Sequence, residues 1–95
     1  MRKYEIMYII DPTVTDEARP KVIDDLNEIF ISRGGELFEV NEWGMRDLAY
    51  EIQKHRKGYY VVLNVTCNEE ARAEFDRICR IREDIIRHII IRDER

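Results

Sequence analysis

Glycine and proline are scarce: 4 and 2 residues in a chain of 95. Long flexible linkers and Pro- or Gly-rich disorder are excluded by that shortage. Cysteine occurs twice, at Cys67 and Cys79, with no C-x-x-C pair and no metal-ligand spacing. Such thiols read as buried and free in a reducing cytosol, and not as a disulfide framework. No apolar run approaches the ~20 residues of a membrane span, and Met1–Glu5 leads into a strand pattern, not a signal peptide. Only two histidines are present, His55 and His88. The G-x-S-x-G, H-E-x-x-H, phosphate-loop and Rossmann glycine patterns are all missing, so no converging set of catalytic groups is legible and no enzyme is expected. No cofactor is implied.

What remains is dense in charge and in apolar residues, 38% and 44% of the chain. These proportions describe one compact domain spanning 1–95, large enough for a single modest core. The formal net charge is -4. It is unevenly spread: residues 1–10 sum to +1, residues 11–52 to -7 and residues 53–95 to +2. A fold that joins the two ends would make one basic side on an otherwise acidic protein, although ordinary scatter of surface charge is the plainer reading of these totals alone.

Side-chain periodicity supplies the elements. From Arg2 to Ile10, Tyr4, Ile6, Tyr8 and Ile10 share one face and Lys3, Glu5, Met7 and Ile9 the other, which predicts a central strand. A helix follows, capped by Thr15 or Asp16 with acids in its first turn. It carries Ala18, Val22, Leu26, Ile29 and Phe30 at helical spacing and is stopped by Gly34-Gly35. Pro20 requires a late start that places it in the first turn. Strands are expected at Glu36–Ile52 and Gly58–Cys67, joined by residues 53–57 with Gly58 at the return. Asn68 caps a helix from Glu69 to about Arg80, and a strand runs from Ile85 to Arg92. In that last strand His88 shares parity with Ile86 and Ile90. The order β-α-β-β-α-β predicts a ferredoxin-like α+β fold: a four-stranded antiparallel sheet with two helices on one face.

One segment resists sorting. In Val40–Ile52, large apolar side chains fall on both parities, Leu48, Tyr50 and Ile52 on one, Trp43, Met45 and Ala49 on the other. An edge strand with a second apolar set marks a contact surface. Two binding classes stay open on the residues alone. One is nucleic-acid backbone contact by Arg and Lys. The other is a ligand-sensing or dimerising ferredoxin-like domain paired through the Trp43 edge. A base-stacking RRM fits poorly, because Lys57-Gly58-Tyr59-Tyr60-Val61-Val62 has Tyr60 where a small residue belongs and Val61 where an aromatic belongs.

Five stretches together resemble the bacterial ribosomal protein S6 family of the small subunit. They are Met1-Arg2-Lys3-Tyr4-Glu5, Gly34-Gly35, Trp43-Gly44-Met45-Arg46-Asp47-Leu48-Ala49-Tyr50, Lys57-Gly58-Tyr59-Tyr60 and Arg80-Ile81-Arg82-Glu83-Asp84-Ile85-Ile86-Arg87. The resemblance implies a non-catalytic cytoplasmic protein of the ribosome. It would bind the central domain of small-subunit rRNA together with ribosomal protein S18 during subunit assembly. It further implies RNA contact at Arg2, Lys3, Tyr4, Lys54, Lys57, Arg80, Arg82, Arg87 and Arg92. Contact with the partner protein is implied at Trp43, Met45, Arg46, Leu48, Ala49 and Tyr50. Asp47 and Glu51 depart from the family pattern, and both add negative charge beside the expected partner surface.

Overall fold

The computed structural model describes residues 1–93. Its elements are β1 (Arg2–Ile10), α1 (Arg19–Ile31), β2 (Glu36–Ile52), β3 (His55–Cys67), α2 (Glu69–Ile81) and β4 (Ile85–Asp93). All four strands pair antiparallel in the order β2-β3-β1-β4, which is the ferredoxin-like arrangement expected. β2 and β4 are the edges. Among the described residues, no helix is long and apolar enough to cross a membrane.

The core is the side of the sheet that alternation assigned to it. Tyr4, Ile6, Tyr8 and Ile10 of β1 and Val61, Leu63, Val65 and Cys67 of β3 are buried against Val22, Leu26 and Phe30 of α1 and Ala71, Phe75 and Cys79 of α2. Phe30 and Phe75 stack at 5.0 Å between centroids, which fastens the helices to each other as well as to the sheet. Asn68 caps α2 as expected, its side chain accepting from the Ala71 N–H at 2.8 Å.

The start of α1 differs from the sequence reading. Its N-cap is Ala18, without a side-chain cap, and no acid lies in its first turn. Thr15 instead closes the preceding turn, its Oγ1 accepting from the Ala18 N–H at 3.2 Å. Asp16 and Glu17 belong to that turn. Pro20 is the physical reason. It has no N–H to return to the carbonyl of Asp16, so a regular helical ladder cannot run through that turn.

The β2–β3 connection is also shorter than expected. Gln53 and Lys54 form a two-residue turn with φ of 51° and 68°, and β3 begins already at His55. Positive φ at both central residues is the hairpin geometry that matches strand twist. Neither residue is the usual Asn or Gly, so the sequence hid the turn. Gly58 therefore lies within β3, not at the return. A Cβ there would sit 2.2 Å from Cγ2 of Ile9 and 3.5 Å from Cδ1 of Ile86.

A register shift between Ile9 and Ile10 in the β1–β4 pairing breaks the parity of β4. Ile86 reaches Ile9 over Gly58, whereas His88 faces α2, with Nε2 2.7 Å from Oδ1 of Asp76. The face shared by Ile86 and His88 on paper is thus divided by one bulge.

Candidate partner and nucleic-acid interface

The unsorted apolar residues of β2 are explained by irregular pairing. The β2–β3 register shifts between Leu37 and Glu39, between Glu42 and Gly44, and between Asp47 and Ile52. Each shift resets which parity faces the helices. Leu37 and Val40 still pack on the core. At Gly44 the backbone takes φ +89°, a value side chains disfavour, in keeping with a glycine bulge.

Beside that bulge Trp43 lies on the helix-free face. Its ring is nearly parallel to Tyr60, at 9° and 6.3 Å, and 49% of the residue remains exposed. The Arg46 guanidinium sits 5.1 Å from the Trp43 ring. Tyr59 points the other way, as its parity predicted. It packs on the core, carries the Arg19 guanidinium 3.9 Å from its ring and donates from its hydroxyl to Oε1 of Glu42 at 2.8 Å. Met45, Arg46, Ala49 and Tyr50 are exposed and Leu48 is half-buried, so all six expected partner residues lie on one stretch of edge strand.

The helix-free face also carries apolar groups from the other three strands. Glu5 and Met7 of β1, Val62 of β3 and Ile89 and Ile91 of β4 form a groove with Trp43, of about 190 Å³. A shallower depression of about 440 Å³ adjoins it, lined by Lys3, Phe38, Glu39, Asn64 and Asp93 among others. The second parity of β1 had signalled part of this face. The contribution of β4 was not legible, because its bulge scrambles the count.

The expected RNA residues fall into two groups. Antiparallel pairing sets Arg2 and Lys3 beside the end of β4, with Lys3 opposite Asp93 and Tyr4 opposite Arg92. Lys54, Lys57, Arg80, Arg82 and Arg87 lie toward the other end, where β1 stops and β4 begins. At ~3.3 Å per residue the ends of β1 are about 26 Å apart. One continuous basic side is therefore replaced by two basic ends. Tyr4 is only 5% exposed, and its hydroxyl donates to Oε2 of Glu69 at 3.3 Å. Its ring belongs to the core, beneath the strand end that carries Arg2 and Lys3.

Several of these cations are already engaged. Arg82 donates from Nε and Nη2 to the Asp84 carboxylate, both at 2.8 Å, and approaches Asp25 at 3.5 Å. Arg80 pairs with Asp76 at 3.0 Å and Lys57 with Asp47 at 4.0 Å. Arg2, Lys3, Lys54 and Arg87 make no ion pair among the described residues. Lys3 lies 5.8 Å from the Phe38 ring centre, and Arg87 donates to the Tyr50 hydroxyl. Arg2 acts on the Glu69 carboxylate only through space, and Lys3, Lys54 and Arg87 hold charge unpaired with a described carboxylate, the state a phosphate contact needs.

Among the described residues, acid–base chemistry finds no assembled centre. Both histidines form structural pairs, His88 with Asp76 and His55 with Asp11 at 3.2 Å. The hydrogen bonds from His88 and Arg80 hold the Asp76 carboxyl below its ordinary range. Burial pushes the Cys67 thiol up and the Cys79 thiol to about 12, the reverse of an activated nucleophile. Among the described residues, no group of three or more His, Cys, Asp or Glu side chains is arranged to hold a metal ion.

Comparison with known proteins decides the family. The model of the family described as ribosomal protein S6 matches residues 3–92. The chain belongs to the ribosomal protein S6 family. Small-subunit ribosomal proteins make up that family, and its role is structural. The fold is also similar to the crystal structure of 30S ribosomal protein S6 from Thermotoga maritima, with a TM-score of 0.91 at 34% identity. That match covers 97% of this chain and 87% of the Thermotoga protein. In this S6-family chain the W-G-x-R-x-L-A-Y segment is thus the edge strand with its glycine bulge.

Proposed function

We propose that this protein binds the central domain of small-subunit rRNA as one half of a heterodimer with ribosomal protein S18, at the ribosome in the cytoplasm, during subunit assembly. The observation that carries the reading is Trp43: a half-exposed indole stacked on Tyr60 at a sheet edge, in a chain of the S6 family. An aromatic side chain with a polar rim is the usual anchor of a protein interface. Trp43, Met45, Arg46, Leu48, Ala49 and Tyr50 make the partner surface. Arg2, Lys3, Lys54 and Arg87 make the primary phosphate contacts, supported by Lys57, Arg80, Arg82 and Arg92.

A net charge of -4 makes the protein alone a poor ligand for RNA. A basic partner supplies the missing charge and completes a composite surface. The test is titration of small-subunit rRNA with this protein, with and without equimolar S18, at two salt concentrations. Tight, salt-dependent binding only with both proteins supports the reading. Tight binding by this chain alone keeps the ribosomal role and makes the partner secondary. No binding by either, with both folded, returns the protein to a ligand-sensing or dimerising domain.

A further inference from the structure

Glu5 stands apart from the other charged groups of the sheet. It is exposed at the floor of the groove formed with Met7, Trp43, Val62, Ile89 and Ile91, and it makes no ion pair among the described residues. Its neighbours across the sheet are Asn64 on β3 and Ile91 on β4, both uncharged. The cation nearest along its own face of β1 is Lys3, which turns to the Phe38 ring. In the same row, beyond Asn64, stands Glu39 on β2, which accepts a hydrogen bond from Nδ2 of Asn64 at 3.4 Å. Two carboxylates therefore share one row of an apolar face, and neither pairs with a cation among the described residues.

A carboxylate beside exposed isoleucine and tryptophan gains most from a partner that brings both an apolar group and a positive charge. Water solvates Glu5 now. Closing the groove with an apolar surface alone would strip that water and leave the charge unpaired, which is costly. Closing it with a Lys or Arg stem covers the isoleucines and delivers the cation to the carboxylate. The groove, about 190 Å³, leaves room for a side-chain stem along Ile89 and Ile91. RNA is disfavoured in this groove, because a phosphate there would meet the Glu5 carboxylate among apolar side chains.

We infer that the helix-free face is a docking groove for a basic, apolar segment of the protein partner, in which Glu5 receives a lysine or arginine while Trp43, Ile89 and Ile91 cover its aliphatic stem. This rests on the partnership proposed above and extends it from the β2 edge across all four strands. It makes Glu5 a determinant of partner specificity, since a like charge at that point would repel the segment.

The experiment is calorimetric titration of S18 into the wild-type chain and into Glu5→Gln, Glu5→Lys and Ile89→Asp, with circular dichroism confirming each fold. Glu5→Lys should weaken binding by about tenfold or more, Glu5→Gln by less, and Ile89→Asp by about tenfold, with a shallower salt dependence for both Glu5 variants. Unchanged S18 affinity in folded Glu5→Lys and Ile89→Asp overturns the groove while leaving the partnership intact. Absence of S18 binding to the wild-type chain overturns both readings together. If Glu5→Lys instead strengthens rRNA binding by the chain alone with S18 affinity unchanged, the face belongs to RNA and the inference fails.

Discussion

The Arg87 guanidinium on β4 donates a hydrogen bond to the Tyr50 hydroxyl on β2, joining the two opposite edges of the sheet. The guanidinium carbon also stands 5.9 Å from the Tyr50 ring centre. The far end of the β2–β3 hairpin thus reaches over the helix-free face. His55 near its tip adds a second tie, to Asp11 beyond β1. One residue proposed for RNA and one proposed for the protein partner are therefore in direct contact. A change at either should be felt in both interactions.

Arg2→Ala and Arg87→Ala should each lower the affinity of the heterodimer for rRNA without unfolding the chain. Removing one phosphate-binding cation should reduce the salt slope by ~0.9 log unit per log unit of salt on duplex-like RNA. Arg87→Ala should also loosen S18 through Tyr50, whereas Arg2→Ala, at the far end of β1, should not. Wild-type RNA affinity in both variants would refute the assignment of the two basic ends.

Trp43→Ala should weaken S18 binding by about 2 kcal/mol or more if the indole is a central anchor. Its ring is half exposed, so the chain should stay folded. Equal affinity of a folded variant would mean that Trp43 serves only to cover Tyr60.

Gly58→Ala should destabilise the fold by roughly 1–3 kcal/mol through overpacking. The added methyl meets Ile9, which is 2% exposed and has no room to retreat. A denaturant midpoint equal to wild type would show that Ile9 and Ile86 can part. A second change, Ile9→Ala, removes the clashing Cγ2, so the double variant should lose less stability than the sum of the two single losses.

The Asp76–His88 pair predicts an acid-sensitive contribution. The Asp76 pKa is depressed, first by the hydrogen bond to His88 and then by that to Arg80. A depressed carboxyl binds its proton less readily in the folded state than in the unfolded one. Its stabilisation is therefore complete above the unfolded value of about 3.9 and is lost as pH falls through the lower folded value. Asp76→Asn should lower stability near neutral pH and flatten the stability profile across that acidic window. Urea midpoints at about pH 6 and about pH 2.5 measure it, and an unaltered acid limb would place the sensitivity in other pairs such as Arg82–Asp84.

Legibility in the sequence followed how regular each strand is. The β1 and β3 alternations predicted their buried faces residue by residue, and the four strands and two helices were legible within a few residues. Pro20 announced a late helix start, yet Thr15 capped the turn before it. The Gln53–Lys54 turn was hidden because positive φ usually calls on glycine or asparagine, and the hairpin has neither residue there. Within the candidate site, Trp43 and its neighbours stood out as apolar residues without a face. Arg80 and Arg82 could not be told from free cations, because the carboxylates that engage them are recognised only by geometry.

The sequence by itself determined the element order, the single core, the edge position of β2 and, through motifs spread along the chain, the family. Tertiary structure alone decided that the basic residues divide between two ends, that Ile86 and His88 part company, and that Trp43 joins Glu5, Met7, Ile89 and Ile91 in one groove. Periodicity is a local property and survives in short stretches. Strand register, bulges and ion pairs depend on residues far apart in the chain, and one inserted residue in a ladder reverses every face that follows it.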